Sequence, residues 1–263
     1  MSAPTMTTPT DYAIEMEGLT RRFGDFVAVD NVTLKIPKGQ LYGFLGLNGA
    51  GKTTTIRMLT TLLPPSAGAA KLWGHDVVKE PLAVRKLVGL VSDETSESQS
   101  TWTAREYLSY FARIRHLLRP DEEVEGILDD VGLDPKFRGK LICTYSTGMK
   151  RRVEIARALM GRPKVLFLDE PTRGLDLPAK RDMWSLLRRL AATENVTTFL
   201  SSHDAQEIRS LCSEISVIAG GRLVHTGPTR ELGVDIDAFE ERLVQMLTQS
   251  ERVEHRGLHF RVE

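Results

Sequence analysis

Residues 46 to 53 read GLNGAGKT, and no other stretch narrows the possible folds as far. The segment has the form G-x-x-x-x-G-K-[ST], follows the apolar run QLYGFLG, and leads into KTTTIRMLTTLL, which Pro64 and Pro65 stop. A buried strand, a glycine-rich loop and a helix lets successive backbone N–H groups converge on one anion, and the helix N-terminus adds positive potential. Phosphate is the expected guest. Lys52 is placed to reach β and γ phosphates as a point charge, and Thr53 to offer its hydroxyl to Mg²⁺. An ordinary strand-to-helix turn is the bland alternative, and the flanking strand and helix weigh against it.

A second buried strand, KVLFLDE, ends on Asp169 and Glu170. Alone, an acidic pair at a strand end reads as a solvated turn. Behind a phosphate loop, Asp169 can hold Mg²⁺ through water, and Glu170, leaving on the opposite side, can orient or deprotonate a water aimed at a γ-phosphate. VTTFLSSH is a further core strand, and its alternation with the helical PAKRDMWSLLRRLAA gives a parallel α/β pattern. Ahead of the loop, YAIEMEGLTRRFGDFVAVDNVTLKIPKG reads as antiparallel strands; near the other end, ISVIAGGRLVHTG closes as a hairpin on Gly220 and Gly221.

A mostly helical stretch interrupts this pattern. Thr103 and Glu106 form a capping box ahead of a helix whose apolar stripe is Tyr107, Leu108, Phe111, Ile114 and Leu118. DEEVEGILDDVGL predicts a second helix. Beyond residue 226, IDAFEERLVQML is amphipathic through Ile236, Phe239, Leu243, Val244 and Leu247, and predicts a small docking or dimerisation helix.

Composition excludes several function classes. Lys plus Arg and Asp plus Glu each number 35, so no net charge attracts nucleic acid or an anionic membrane, and no nucleic-acid partner is expected. The two cysteines, Cys143 and Cys212, cannot build a disulfide framework and read as buried small residues in a reducing compartment. No apolar run approaches the roughly 18 to 20 residues of a membrane span, and MSAPTMTTPTD lacks the features of a signal peptide, so the chain is expected to be soluble by itself.

With these motifs in place, the chain resembles the ATPase subunit of an ABC transporter over roughly residues 12 to 230. YSTGMKRR, residues 145 to 152, is similar to that family's signature sequence, with Ser146 and Gly148 in place and Thr147 and Met149 loosening it. From the residues alone, Ser146 is a plain N-cap for the helix through Met149, Val153, Ala156 and Met160. The resemblance adds a second γ-phosphate site, used against ATP held by the partner subunit. TRGLD resembles the segment linking the two ATP sites, with Asp176 as its acidic residue, although an N-cap ahead of Pro178 explains Asp176 as well. His203 matches the family's switch histidine at the γ-phosphate, and Phe23 matches the aromatic that stacks on adenine, where Tyr is more usual.

The resemblance implies an α/β fold: a P-loop NTPase core with mixed sheet, an N-terminal antiparallel β subdomain and an inserted α-helical subdomain. The Thr/Pro-rich start is expected to be a disordered tail over 1–10, and the resemblance implies a core over 11–93 and 159–225 and a helical subdomain over 94–158, with a C-terminal extension over 226–263. Nucleotide contacts fall on Phe23, Gly46, Asn48, Gly49, Ala50, Gly51, Lys52, Thr53, Thr54, Ser146, Gly148 and Asp176, catalysis on Glu170, His203 and Lys52, and Mg²⁺ on Thr53, Asp169 and Asp93. The implied function is ATP hydrolysis by two such subunits, identical or different, closing on two ATP molecules. It drives export through separate membrane permease subunits at the cytoplasmic face of the membrane. An ABC-type ATPase acting without a permease on ribosomes, DNA or cofactor assembly is the alternative. Its relatives carry paired ATPase halves or long coiled-coil or zinc insertions, which this chain lacks. Retention of Glu170 and His203 speaks against a binding module with little turnover, and no Asn-Lys-x-Asp motif favours GTP.

LVSDETSESQSTW, residues 90 to 102, departs furthest from the family. Asp93 stands where a glutamine touching Mg²⁺ and the attacking water is usual, and Gln99, six residues later, is the rival for that place. Either way, its position between core and helical stretch makes it the expected transmission loop to a membrane partner.

Overall fold

The computed structural model describes residues 11–92, 101–193, 196–233 and 235–258. Strands β1 (Tyr12–Phe23) and β2 (Phe26–Pro37) pair antiparallel as their polar–apolar alternation predicts, and β4 (Ala67–Leu72) and β5 (His75–Asp76) extend them into a four-stranded sheet of order β2-β1-β4-β5. The second sheet holds β3 (Leu41–Leu45), β6 (Val88–Val91), β7 (Val165–Asp169), β8 (Thr197–Ser202), β9 (Glu214–Ala219) and β10 (Arg222–Pro228) in the order β10-β9-β3-β8-β7-β6. Its neighbours run parallel except for the β9–β10 hairpin.

Every residue of β7 and β8 is buried. The apolar run of β7 is what a sheet covered on both faces requires, whereas β8, TTFLSS, buries threonine and serine hydroxyls around its Phe-Leu centre. Alternate side chains divide between two cores. Leu166, Leu168, Leu200 and Val217 face the helical side, whereas Phe44, Phe167, Phe199 and Ile218 face the first sheet and the helix after the phosphate loop. On that face Phe199 lies 5.0 Å from Phe44 and 5.5 Å from Phe167, centroid to centroid. Truncating it to Ala would cost about 3–5 kcal/mol.

Helices α1 (Lys52–Leu59), α2 (Pro81–Leu87), α3 (Ala104–Ile114), α4 (Pro120–Asp130), α5 (Pro135–Arg138), α6 (Thr147–Leu159), α7 (Leu177–Thr193), α8 (Ala205–Leu211) and α9 (Ile236–Leu258) complete the described residues. Helix α1 stops short of the predicted Leu62–Leu63, because Thr61 adopts φ 64 and the N–H groups of Leu62 and Leu63 both turn back to the Arg57 carbonyl.

Three side-chain expectations need correction. The capping box of Thr103 and Glu106 forms, and of the expected stripe Leu108 is buried with Tyr107 and Phe111 packed beside it, but Ile114, the last residue of α3, is exposed, as is Leu118 beyond the turn at His116, φ 54; Ala104 and Ala112 are buried as well. In α9, Phe239 and Leu243 are buried and Ile236, Met246 and Leu247 pack beside them, while Val244 faces solvent. Cys212 is buried as expected; Cys143 is exposed, in a single 3-10 turn over Ile142–Thr144.

Candidate functional site

Parallel register sets the site. Leu45 pairs with Ser202 and Asp169 with Ser201, so β3, β8 and β7 end level along one sheet edge. The chain leaving each strand is tied to its neighbour: Gly46 N donates to Ser202 O at 3.2 Å, and Glu170 N donates to Ser201 O at 3.1 Å. Glycine is required at two points of the loop. A Cβ on Gly46 would lie 2.5 Å from Ile218 O; one on Gly51, which sits at φ 107, would lie 2.5 Å from Ala28 O. The loop therefore lies flush on neighbouring backbone. Asn48 and Gly49 are exposed at its crest, Ala50 is buried, and Thr54 is half-buried in the first turn of α1. That helix has neither a side-chain cap nor an acidic residue in its first turn. Its N–H groups and dipole are left for an anion from outside.

Six polar side chains converge here. Lys52, 5% exposed, donates to the carbonyls of Gly46 at 2.6 Å and Leu47 at 3.1 Å, and its ammonium lies 3.1 Å from Glu170 Oε1. That last contact is an ion pair without hydrogen-bond alignment, so Oε1 has no hydrogen-bond partner. Glu170 Oε2 meets His203 Nδ1 at 2.6 Å. Thr53 Oγ1 donates to Asp169 Oδ2 at 2.7 Å, and Ser201 Oγ donates to the other oxygen, Oδ1. Glu170 adopts φ 51, a left-handed conformation that costs a non-glycine residue about 1–2 kcal/mol. It is held there by its own N–H bond to Ser201 and by Arg173 N, which donates to its carbonyl at 3.1 Å.

A second group lies at the start of α6 and α7. Ser146 caps α6 by accepting from Met149 N at 3.2 Å and is exposed. Asp176 Oδ1 accepts from Ala179 N at 2.9 Å, the cap expected from sequence, with Pro178 one position further into α7 than expected. Gly148 lies against this segment, 3.8 Å from Ala179 Cβ and 4.0 Å from Leu175 measured from an added Cβ. Phe23 stands at the tip of the β1–β2 hairpin, 46% exposed, with the Arg21 guanidinium 4.6 Å over its ring. Asp93 and Gln99 lie outside the described residues.

Sequence reasoning passed over Ser201, the second partner of Asp169, and the neighbouring Ser202 and Glu207. Ser202 Oγ donates to Glu207 Oε2 at 2.6 Å. The hydroxyl pair ahead of His203, at the end of a core strand, was the available signal.

The sequence profile described as ABC transporter matches residues 29–173. The daunorubicin/doxorubicin resistance ATP-binding protein of Streptomyces peucetius is 39% identical over 229 residues, covering 86% of this chain and 68% of that one. The bacitracin transport ATP-binding protein of Bacillus licheniformis is 38% identical over 215 residues, covering 82% and 69%. Among solved structures, cbiO1 of Clostridium perfringens, part of the ABC transporter complex cbiONQ, superposes with a TM-score of 0.79 at 25% identity, over 94% of this chain and 98% of that one.

Proposed function

We propose, on the premise that this chain belongs to the ABC transporter family, that it is the ATP-hydrolysing subunit of an exporter and works in a pair on separate membrane permease subunits. The observation that carries the reading is the meeting of Lys52, Thr53, Asp169, Glu170 and His203 at one sheet edge, beside a helix N-terminus with no side-chain cap.

Lys52 exchanges its two carbonyl partners for phosphate oxygens, which carry more charge. The backbone from Gly46 through Thr54, including Asn48, Gly49, Ala50 and Gly51, curls around the phosphates. Phe23 stacks on adenine with the face opposite Arg21. Glu170 serves as general base: its left-handed backbone aims the carboxylate out of the strand line, and His203 holds one oxygen while reaching toward the γ-phosphate.

Mg²⁺ fits the donors. The Thr53 hydroxyl and the Asp169 carboxylate are hard oxygens facing a cavity of about 310 Å³ that Ser92 and Arg173 also line, and two protein ligands suit an ion that shares its shell with water and phosphate. Asp93 is the further candidate ligand. When bound, the ion would neutralise charge on the transferring phosphoryl group.

Ser146, Gly148 and Asp176 belong to the interface between two subunits. Nothing packed among the described residues requires a glycine at 148, since the nearest atom to an added Cβ is at ordinary contact distance; close approach by a partner's nucleotide accounts for it. Residues 94–158 act as the helical subdomain on a core of 11–93 and 159–225, with 226–263 as an extension. The relatives' names, drug resistance and bacitracin transport, favour export. No helix among the described residues is long and apolar enough to cross a membrane; in this reading the permease is a separate chain and this subunit sits peripherally on its cytoplasmic side.

The test is Mg-ATP hydrolysis by the full chain and by Glu170→Gln. The substitution lowers turnover by about 10²–10⁴-fold, and ATP converts the variant to a stable dimer in light scattering. Unchanged turnover overturns the assignment of the base. A variant that stays monomeric with ATP, alone and beside a co-expressed ATPase subunit, overturns the paired arrangement.

A further inference from the structure

We propose that Glu207 is a positioning residue for ATP hydrolysis: it fixes the loop carrying His203 against the turn that follows Glu170, without touching the nucleotide. The inference rests on the ATPase reading above. Glu207 lies in the first turn of α8 and is 1% exposed. Burying a carboxyl group is costly unless its oxygens are satisfied. Three donors from three elements satisfy this one: Ser202 Oγ at 2.6 Å, Trp184 Nε1 at 3.2 Å, and the Thr172 hydroxyl.

Two of the donors are close in the chain to residues of the site, and the third belongs to a helix that starts there. Ser202 precedes His203 in the chain. Thr172 is two residues past Glu170 and is buried. Trp184 lies on α7, the helix that Asp176 caps. The loop around His203 is closed from its other side as well: Ser202 Oγ accepts from Asp204 N at 3.0 Å, Asp204 Oδ1 accepts from Glu207 N at 3.1 Å, and Asp204 Oδ2 pairs with Lys180 Nζ of α7 at 2.7 Å. A satisfied buried network of this kind fixes one geometry rather than adding much net stability. An apolar residue at 207 would avoid burying a carboxyl group but would leave the Trp184 N–H without its partner. Trp184 Nε1–H can only donate, so the position calls for an acceptor facing it, and a glutamine that kept its oxygen there would turn its N–H toward a serine or threonine hydroxyl and force that hydroxyl to reverse.

The experiment compares Glu207→Gln, Trp184→Phe and a stability control in the full chain, reading kcat and KM for Mg-ATP together with Tm. The control, Tyr42→Phe, removes a buried hydrogen bond to Ser216 (2.7 Å) on the same sheet, in register with Phe199 and outside the Glu207 network. Glu207→Gln is expected to lower kcat about tenfold, within the ~10²-fold that a 1 Å misplacement can cost, with KM changed less than about twofold. Trp184→Phe lowers kcat by a smaller factor in the same direction, and carries the test if Glu207→Gln does not fold. Tyr42→Phe lowers Tm and leaves kcat unchanged. The inference is overturned if the folded network variants keep wild-type kcat, or if Tyr42→Phe loses as much kcat at equal loss of Tm. A wild-type chain without Glu170-dependent turnover overturns the reading beneath it and this inference together.

Discussion

Gly51→Ala tests whether the phosphate loop is held by its backbone or by its side chains. Gly51 sits at φ 107, where a Cβ adds strain of about 1–2 kcal/mol. The new Cβ would also lie 2.5 Å from Ala28 O, against the 3.0 Å that real Cβ atoms keep. Strand β2 cannot easily yield, because Asp30 N is tied to Gly221 O at 2.8 Å. Overpacking of this kind costs a further ~1–3 kcal/mol. The sum, about 2–5 kcal/mol, lowers Tm by ~4–10 °C at ~2 °C per kcal/mol for a chain of this size. Gly49→Ala is the matched comparison. Gly49 is at φ 80 with nothing within 4 Å of its added Cβ, so strain alone applies, at ~1–2 kcal/mol and ~2–4 °C. Thermal unfolding by circular dichroism, with and without Mg-ATP, separates the two. Gly51→Ala should also lose the upward shift in Tm that bound ATP confers, because relief of the clash moves the first turn of α1 off its line. Equal destabilisation by the two substitutions would refute the steric argument. An undiminished ATP shift in Gly51→Ala would refute its link to binding.

Asp169→Asn should uncouple ATP binding from turnover, since an amide N–H must face the hydroxyl of Thr53 or Ser201, both of which donate to the native carboxylate; turnover at saturating Mg-ATP should fall at least ~10-fold. Burial alone would raise the Asp204 carboxyl, but hydrogen bonds from Lys180 and from the Glu207 backbone hold it below the ordinary carboxylate range. A depressed acid contributes stability that is present above its unfolded pKa of about 4 and is lost as pH falls through the folded value. Lys180→Met should therefore cost ~0.5–1 kcal/mol near pH 7 and flatten the acid limb of a Tm-against-pH curve. On α9, Phe239→Ala should cost ~3–5 kcal/mol in urea unfolding, whereas exposed Val244→Lys should stay within ±0.5 kcal/mol.

Much of the site was legible because its signals are local. The loop at 46–53 and the acidic pair ending KVLFLDE each need only a strand, a turn and a few residues of fixed type, and both lie where the sequence puts them. Side-chain facing was read less well. Periodicity carries the α3 stripe on to Ile114 and Leu118, yet Ile114, the last residue of the helix, is exposed, and the positive φ at His116 takes Leu118 off the helical path. Val244 fits the period of α9, yet the surface offered by α8, β9 and β10 covers only the arc through Phe239 and Leu243. The Ser201–Ser202 hydroxyl pair is visible at the end of a core strand, but only the fold shows that its partners are Asp169 and Glu207.

By itself, the sequence determined an anion-binding loop after a buried strand, a carboxylate pair at the end of another, and an α/β order broken by a helical stretch. These follow from periodicity, glycine and charge acting within a few residues. Only the tertiary structure decided which groups meet: Lys52 with Glu170, Thr53 and Ser201 with Asp169, Glu170 with His203, and the three donors with Glu207. The physical reason is strand order. β3, β7 and β8 are neighbours through a parallel register that joins residues far apart in the chain, and no local preference specifies which strand ends lie side by side.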